Sequence, residues 1–282
     1  MNSVHRQDKS SSFDHGSDPN FLAYYEEASL SDATLQRFRT VQDKSLALLA
    51  ASGRNIAHLR VADIGCGAGT QAILWAELGH SVTALDVNAP LVELARRRAE
   101  ERGLAVAFRV GTATALPLDD SSVDVCLMPE LLEHVVDWQS CLREAARSLD
   151  AGGLLYVSTT NALCPIQSEF NLPLYSWYPG FVKRRYERLA VTTRPSLANH
   201  ARYPAVNWFT FYGLRDFLAR LGFDCLDRFD MIDLDSSPLP LRLLVRTARA
   251  VPPLRFVGHV LTTGTAIFAI KTRPSASAPD SA

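Results

Sequence analysis

Three glycines within five residues, closing a short apolar run, constrain this chain more than any other feature. Val61 to Thr70 reads VADIGCGAGT. Leu59, Val61 and Ile64 predict a buried strand, and Ile73, Leu74, Trp75 and Leu78 predict the helix after it. Gly65, Gly67 and Gly69 permit a sharp turn between them and leave no Cβ to keep a ligand off the backbone. A second apolar strand, Val82 to Leu85, ends in Asp86. A carboxylate there can accept two hydrogen bonds from a ribose diol. Together the two segments describe a nucleoside-binding half-site. Asp86 could also cap a helix beginning at Ala89.

The spacing separates one nucleoside cofactor from another. A dinucleotide-binding turn is written G-x-G-x-x-G and seats a pyrophosphate on a helix N-terminus. Here the third glycine arrives one residue early, and Thr70 stands where that pattern has glycine. Asp63 lies two residues before Gly65, where a carboxylate repels a pyrophosphate but suits a cationic ligand. A nicotinamide oxidoreductase is therefore disfavoured.

The remaining pattern alternates. Helix from Leu35 to Ala51, strand to Ile64, helix from Thr70 to Leu78, strand to Leu85, helix opening at Pro90 and ending at Gly103: this rhythm continues to Asn161. Further strands are expected at Val106 to Val110, Val123 to Met128 and Leu154 to Ser158. A helix from Trp138 to Leu149 is expected to close at Gly152 and Gly153. After an interruption come a helix from Leu214 to Leu221 and strands Phe223 to Phe229 and His259 to Lys271. The expected fold class is α/β: a Rossmann-like, doubly wound, seven-stranded sheet, mostly parallel with an antiparallel last strand. Its 282 residues, 47% hydrophobic and 21% charged, suit one such domain over 21–272 with an insertion.

The interruption, 164–208, is rich in aromatics and prolines. It is read either as a cover over the carboxyl ends of the strands or as a loop with a satellite core of its own. The polar stretches 1–20 and 273–282 are expected to be a disordered lead-in and tail. Residues 238–250 form a basic amphipathic helix in which Arg242, Arg246 and Arg249 recur at i, i+4 and i+7. Such a helix is either a solvated face or a peripheral membrane contact, with the cluster Lys183, Arg184, Arg185 and Arg188 as a candidate addition. Five cysteines without a C-x-x-C pair point to a reducing cytoplasm, extended by that helix to the inner face of a membrane, and to no zinc site. A net charge of -1 and the lack of a basic stripe with interleaved aromatics argue against a nucleic-acid partner.

The D-x-G-x-G-x-G loop, with ALDVN after it, resembles the glycine-rich motif of the class I S-adenosylmethionine-dependent methyltransferases. The run from Gly111 to Pro117, then PELLEHV and AGGLLYVSTTN, is similar to the ubiquinone-biosynthesis O-methyltransferase branch. That resemblance implies S-adenosylmethionine as cofactor. It places Asp63, Gly65, Cys66, Gly67, Gly69, Asp86, Val87, Asn88, Thr112, Ala113, Met128 and Pro129 around the cofactor, with Leu91 flanking the adenosine. Thr112 stands where many members carry an acid near the adenine, which leaves the backbone by Ala113 to contact the base. Tyr24 and Tyr25 are read as closing over the cofactor or as core anchors.

Glu130, Glu133 and His134 form an E-x-x-E-H segment that, in the family it resembles, lies beside the substrate and binds a divalent metal. At i, i+3 and i+4 the three would share one face of a helical turn. His134 could serve as general base for a phenol or catechol, or the three together could hold Mg²⁺ and acidify the hydroxyl. The trio could also cap a helix or line the cleft without chemistry. The expected reaction is methyl transfer to a small-molecule hydroxyl, phenolic or quinol-like. The alternatives are another small-molecule or glycan-linked O, N or carboxylate acceptor, or a cofactor-binding protein without activity.

Overall fold

The structure, a computed structural model, describes residues 25, 27–198, 205–234 and 237–272. The expected lead-in 1–20 and tail 273–282, together with Tyr24 and part of the insertion, lie outside the described residues. Seven strands, β1 (Arg60–Ile64), β2 (Ser81–Asp86), β3 (Val106–Val110), β4 (Val123–Pro129), β5 (Leu149–Thr160), β6 (Phe223–Asp227) and β7 (Gly264–Lys271), form one sheet in the order β3-β2-β1-β4-β5-β7-β6. All are parallel except β7, which runs antiparallel to both β5 and β6. The expected sheet is the one observed.

Both faces of the sheet are covered, so its central strands are apolar throughout. In β4 the side chains alternate between two cores. Cys126 and Met128 pack with Cys141 and Leu142 of α4 (Trp138–Ser148) and with Leu214 and Leu218 of α6 (Phe211–Arg220). Val125 and Leu127 face the other way, toward Leu49 of α1 (Asp32–Ala51), Trp75 of α2 (Thr70–Glu77) and Val92 of α3 (Ala89–Glu101). Chain order reverses between β1 and β4, and the crevice at the carboxyl ends there is where such sheets bind ligands.

Some boundaries depart from expectation. α4 ends at Ser148 and passes straight into β5, so Gly152 and Gly153 sit inside a long strand rather than stopping a helix. The β4–β5 register shifts between Val123 and Val125, and a Cβ on Gly153 would lie 2.8 Å from the Asp150 carbonyl oxygen. A bulge, not a helix stop, selects the glycine there. His259 lies in helix α8 (Pro252–Val260), not in the last strand, which starts at Gly264. Asn88 rather than Asp86 caps α3, its Oδ1 accepting from the Leu91 amide at 3.1 Å.

The amino end of β4 is tied by charge. Asp124 accepts from the Arg60 amide at 2.8 Å and from the Arg60 guanidinium, and Arg54 bridges it to Asp150. Burial alone would raise the Asp124 pKa, but the Arg60 and Arg54 hydrogen bonds outweigh it and hold the group down at about 2.

The insertion builds its own small core. Phe170 stacks on Tyr175 with centroids 4.0 Å apart, and Ala190 of α5 (Gly180–Thr192) closes over them. Lys183 is turned inward, donating to the Ser176 carbonyl at 2.7 Å with its ammonium over the Trp208 ring. It therefore adds nothing to an outward basic cluster.

Candidate functional site

The glycine loop is folded by its own backbone. The amides of Gly65 and Cys66 both donate to the Leu85 carbonyl, at 2.7 and 3.0 Å, which ties the loop to the end of β2. Gly65, Gly67 and Gly69 all have positive φ. They differ in purpose. A Cβ on Gly69 would meet Ala95 Cβ at 2.6 Å, so this glycine lets α3 pack on the loop. A Cβ on Gly67 would meet the Tyr25 ring at 3.2 Å, so Tyr25 lies over the second glycine. Tyr25 also packs with Ala68, Leu91 and Leu94, as a core anchor does.

Asp86 is arranged as a diol acceptor would be. One oxygen accepts from the Gly67 amide at 2.9 Å and the other from the Asn88 amide at 2.8 Å. Each oxygen keeps a second lone pair for a ligand. Burial raises the Asp86 pKa, and these amides oppose the rise. Asn88 is buried with its Nδ2 unpartnered, Val87 is exposed, and Cys66 is half-buried.

Asp63 is wholly buried beneath the loop, and neither carboxylate oxygen has a formed hydrogen bond. Burial pushes its pKa up to about 7; the Ala72 amide in the first turn of α2 offsets part of this, and Asp86 adds to it. Close by, the Thr70 hydroxyl and the Gln71 amide are also buried and unpartnered. These groups fit a nucleoside whose amino-acid end carries a positive charge. The carboxylates of Asp63 and Asp86 would oppose a pyrophosphate instead.

The rest of the expected cofactor set divides. Thr112 is exposed, with its Oγ1 2.8 Å from Thr114 Oγ1. Pro129 is partly exposed at the end of β4. Met128 is fully buried and Ala113 nearly so, and both side chains belong to the sheet core. Only their backbones are left to face the crevice.

The segment after β4 is not the helical turn that its spacing predicts. It is a run of turns from Glu130 to Asp137, begun by Glu130 at φ +51°. A left-handed residue at the start breaks the i, i+3, i+4 face, and the three side chains separate. Glu130 is exposed, and its Oε1 accepts from Ser158 Oγ at 2.7 Å. Glu133 is buried, its Oε2 accepting from Thr159 Oγ1 at 2.7 Å. Burial, then the charges of Glu130 and Glu169, hold the Glu133 carboxyl well above the usual carboxylate range. His134 is half-buried on the turn, its amide bonded to the Leu131 carbonyl. Among the described residues no three His, Cys, Asp or Glu side chains converge to hold a metal ion. The Mg²⁺ site expected at Glu130, Glu133 and His134 is thus not assembled, and Glu133 is an anchor rather than a group open to substrate.

What Glu133 anchors is the far end of the insertion. Its carbonyl accepts from the amides of Val206 and Asn207, and Asn207 Nδ2 returns bonds to the carbonyls of Leu132 and Val135. The turn and the insertion thereby enclose a cleft of about 290 Å³ at the carboxyl ends of β4 and β5. Glu130, Ser158, Gln167, Glu169, Trp208 and Arg228 line it, with Arg37 at its edge. Of the expected catalytic residues only Glu130 is among the lining. Besides Ser158, which lies in the AGGLLYVSTTN run, the other lining residues named come from separate stretches of chain that no local motif marks. Leu131 packs on Gly65, where a Cβ would meet it at 3.0 Å, so the cleft-bearing turn rests directly on the cofactor loop.

The three arginines of the expected basic helix part company in α7 (Leu239–Ala250). Arg249 is turned inward and donates to the carbonyls of Phe229, Asp230 and Ile232. Arg242 is half-buried beside the Ser237 carbonyl, and Arg246 alone is exposed. No helix among the described residues is long and apolar enough to cross a membrane.

This geometry agrees with comparisons to known proteins. Residues 62–157 match the family described as Methyltransferase domain. A ubiquinone biosynthesis O-methyltransferase of Methylocella silvestris is 40% identical over 108 residues, 38% of this chain and 42% of that protein. One from Caulobacter sp. strain K31 is 38% identical over 128 residues, 43% of this chain and 50% of that protein. The chain thus spans half or less of the length of these relatives. Among solved structures, an S-adenosylmethionine dependent methyltransferase from Mesorhizobium loti has a TM-score of 0.51 at 18% identity, over 80% of this chain and 97% of that one. The Haemonchus contortus phosphoethanolamine N-methyltransferase 2, in complex with S-adenosyl-L-methionine, also has a TM-score of 0.51, at 15% identity over 90% of this chain and 60% of that one. Those two likenesses bear on the fold, and the matched sequence bears on its central part: residues 62–157 are similar to the family described as Methyltransferase domain.

Proposed function

We propose that this protein transfers a methyl group from S-adenosylmethionine to a hydroxyl of a small molecule held in the cleft beside Glu130. The observation that carries the proposal is the adjacency of two half-sites: Leu131, the residue after the cleft-lining Glu130, packs on Gly65 of the loop. The cofactor supplies an electrophilic methyl carbon when bound. The chain's own residues hold and align. Asp86 accepts the ribose hydroxyls, the loop amides and the start of α2 face the amino-acid end, and Asp63 biases the loop toward a cation. Glu130 stands in the cleft as the carboxylate able to accept a hydrogen bond, and then the proton, from the acceptor hydroxyl. Ser158 fixes its orientation.

The names of the matched relatives favour a quinol-like or phenolic acceptor. The cleft lining supports a second reading. Hydroxyls, amides, both signs of charge and one indole face also suit a polyhydroxylated, glycan-like acceptor. Incubation of the protein with methyl-labelled cofactor and a panel of catechols, quinols and glycosides tests both. Transfer to one class, reduced about a hundredfold or more in Glu130→Gln with cofactor affinity kept, is the expected result. Full activity in that variant would remove Glu130 from the chemistry.

A further inference from the structure

We propose that the outward face of helices α7 and α8 seats this protein on an anionic membrane surface. The inner face of the pair is saturated by the protein itself. Asp227 at the end of β6 is buried and accepts from Arg255 Nε and from His259 Nε2, each at 2.8 Å. Arg255 also pairs with Asp230, and Asn161 donates to the carbonyls of His259 and Thr262. With Arg249 clamped on the carbonyls after β6, and Val245 and Ala248 buried, every inward position has a partner. The pair is thus held rigidly against the sheet.

The outer face is the reverse of a solvated helix. In α7, Leu239, Leu243 and Leu244 are 65%, 56% and 66% exposed. In α8 and just after it, Leu254, Phe256, Val257 and Leu261 are exposed as well. Large apolar side chains scattered singly need no explanation, but this many on two consecutive helices mark a contact surface. Leu239 and Leu243 are i, i+4 neighbours opposite the buried Val245, and Arg246 flanks them with its charge in solvent.

Charge chooses the occupant. Between Asp235 and Asp280 the chain contains no acidic residue; of the four arginines of α7 and α8, Arg249 and Arg255 are engaged inward, Arg242 is half-buried, and Arg246 is exposed. The outer surface therefore presents leucines beside the exposed Arg246, with no carboxylate of α7 or α8 to repel lipid phosphate, a combination that enters a headgroup layer and favours anionic lipid. A second copy seated on the same face would bring the same arginines and no carboxylate of α7 or α8 to pair them, whereas lipid phosphates supply the opposite charge. The inference stands apart from the methyl-transfer reading, since a vesicle-binding assay needs neither cofactor nor acceptor.

The experiment is co-sedimentation of the full chain with vesicles of phosphatidylcholine mixed with phosphatidylglycerol, and with phosphatidylcholine alone. Binding to the mixed vesicles that weakens with added salt is expected. The double variant Leu243→Glu, Leu244→Glu should bind about a hundredfold more weakly, since each leucine loses its transfer into the apolar layer. Arg246→Gln should lower binding about fivefold at low salt. Because these side chains are exposed, circular dichroism should show both variants folded. Absence of binding to the anionic vesicles overturns the proposal, as does a double variant that sediments like the parent. A dimer seen by light scattering that the double variant disperses, with vesicles ignored, assigns the face to a second copy and overturns it too.

Discussion

The substitution Asp63→Asn should stabilise the ligand-free protein, and the gain should depend on pH. The carboxyl is fully enclosed and has no formed hydrogen bond, so folding raises its pKa from 3.8 to about 7. A raised carboxyl pKa means that the folded state holds the proton more tightly than the unfolded chain. The group therefore does no harm below pH 4, and it destabilises progressively as pH rises through the window from about 4 to 7. With each pKa unit equal to about 1.4 kcal/mol, the full penalty above pH 7 is on the order of 4 kcal/mol, and the part added between pH 5 and pH 8 is roughly 2–3 kcal/mol. The introduced amide cannot ionise, so the variant escapes that part. Urea unfolding of parent and variant at pH 5 and pH 8 measures it, together with the Asp63–Asp86 repulsion that the substitution removes. The variant should gain roughly 2–3 kcal/mol relative to the parent across that interval. Stability curves that run parallel with pH would refute the buried, uncompensated acid.

Asp86→Ala should weaken S-adenosylmethionine binding by about 1–3 kcal/mol, the cost of unmade hydrogen bonds to a charged group, as read by calorimetry; unchanged affinity would remove the ribose contact. Gly69→Ala should cost about 1–3 kcal/mol in a denaturant titration, because its new Cβ meets Ala95 Cβ at 2.6 Å and φ is +75°. Asp124→Asn should cost about 2 kcal/mol at pH 7. A depressed carboxyl pKa stabilises above about 4 and is lost as pH falls through about 2, so the two proteins should converge near pH 2. A gap that persists there would assign the loss to packing instead.

The sheet and the cofactor half of the site are legible in the sequence because both are local. β1, the glycine loop and α2 are contiguous, and the Asp86 position follows from β2 alone. The sequence pattern also locates β4, since a strand buried on both faces is apolar at nearly every position. Glycine is less readable. Gly152 and Gly153 look like a helix stop but serve a bulge, a distinction made by the β4 register rather than by composition. The E-x-x-E-H spacing invites a helical face, and a single residue at positive φ removes it. The cleft is beyond sequence reasoning: Gln167 and Glu169 reach Glu130 through the return of the insertion onto Glu133, and Arg228 joins them from the end of β6. In α7 the sequence shows the arginine period but not its direction. Arg249 points inward because the chain after β6 offers it three carbonyls, and the leucines are left outside.

The central claim is that the loop between β1 and α2 binds a sulfonium nucleoside. The most direct test is calorimetric titration of the protein with S-adenosylmethionine, S-adenosylhomocysteine and NAD⁺. Saturable, one-to-one binding of the two sulfur nucleosides and none of NAD⁺ is the expected result. Heat from NAD⁺ alone, or from none of the three, would contradict it and leave Gly65, Gly67 and Gly69 as a structural turn.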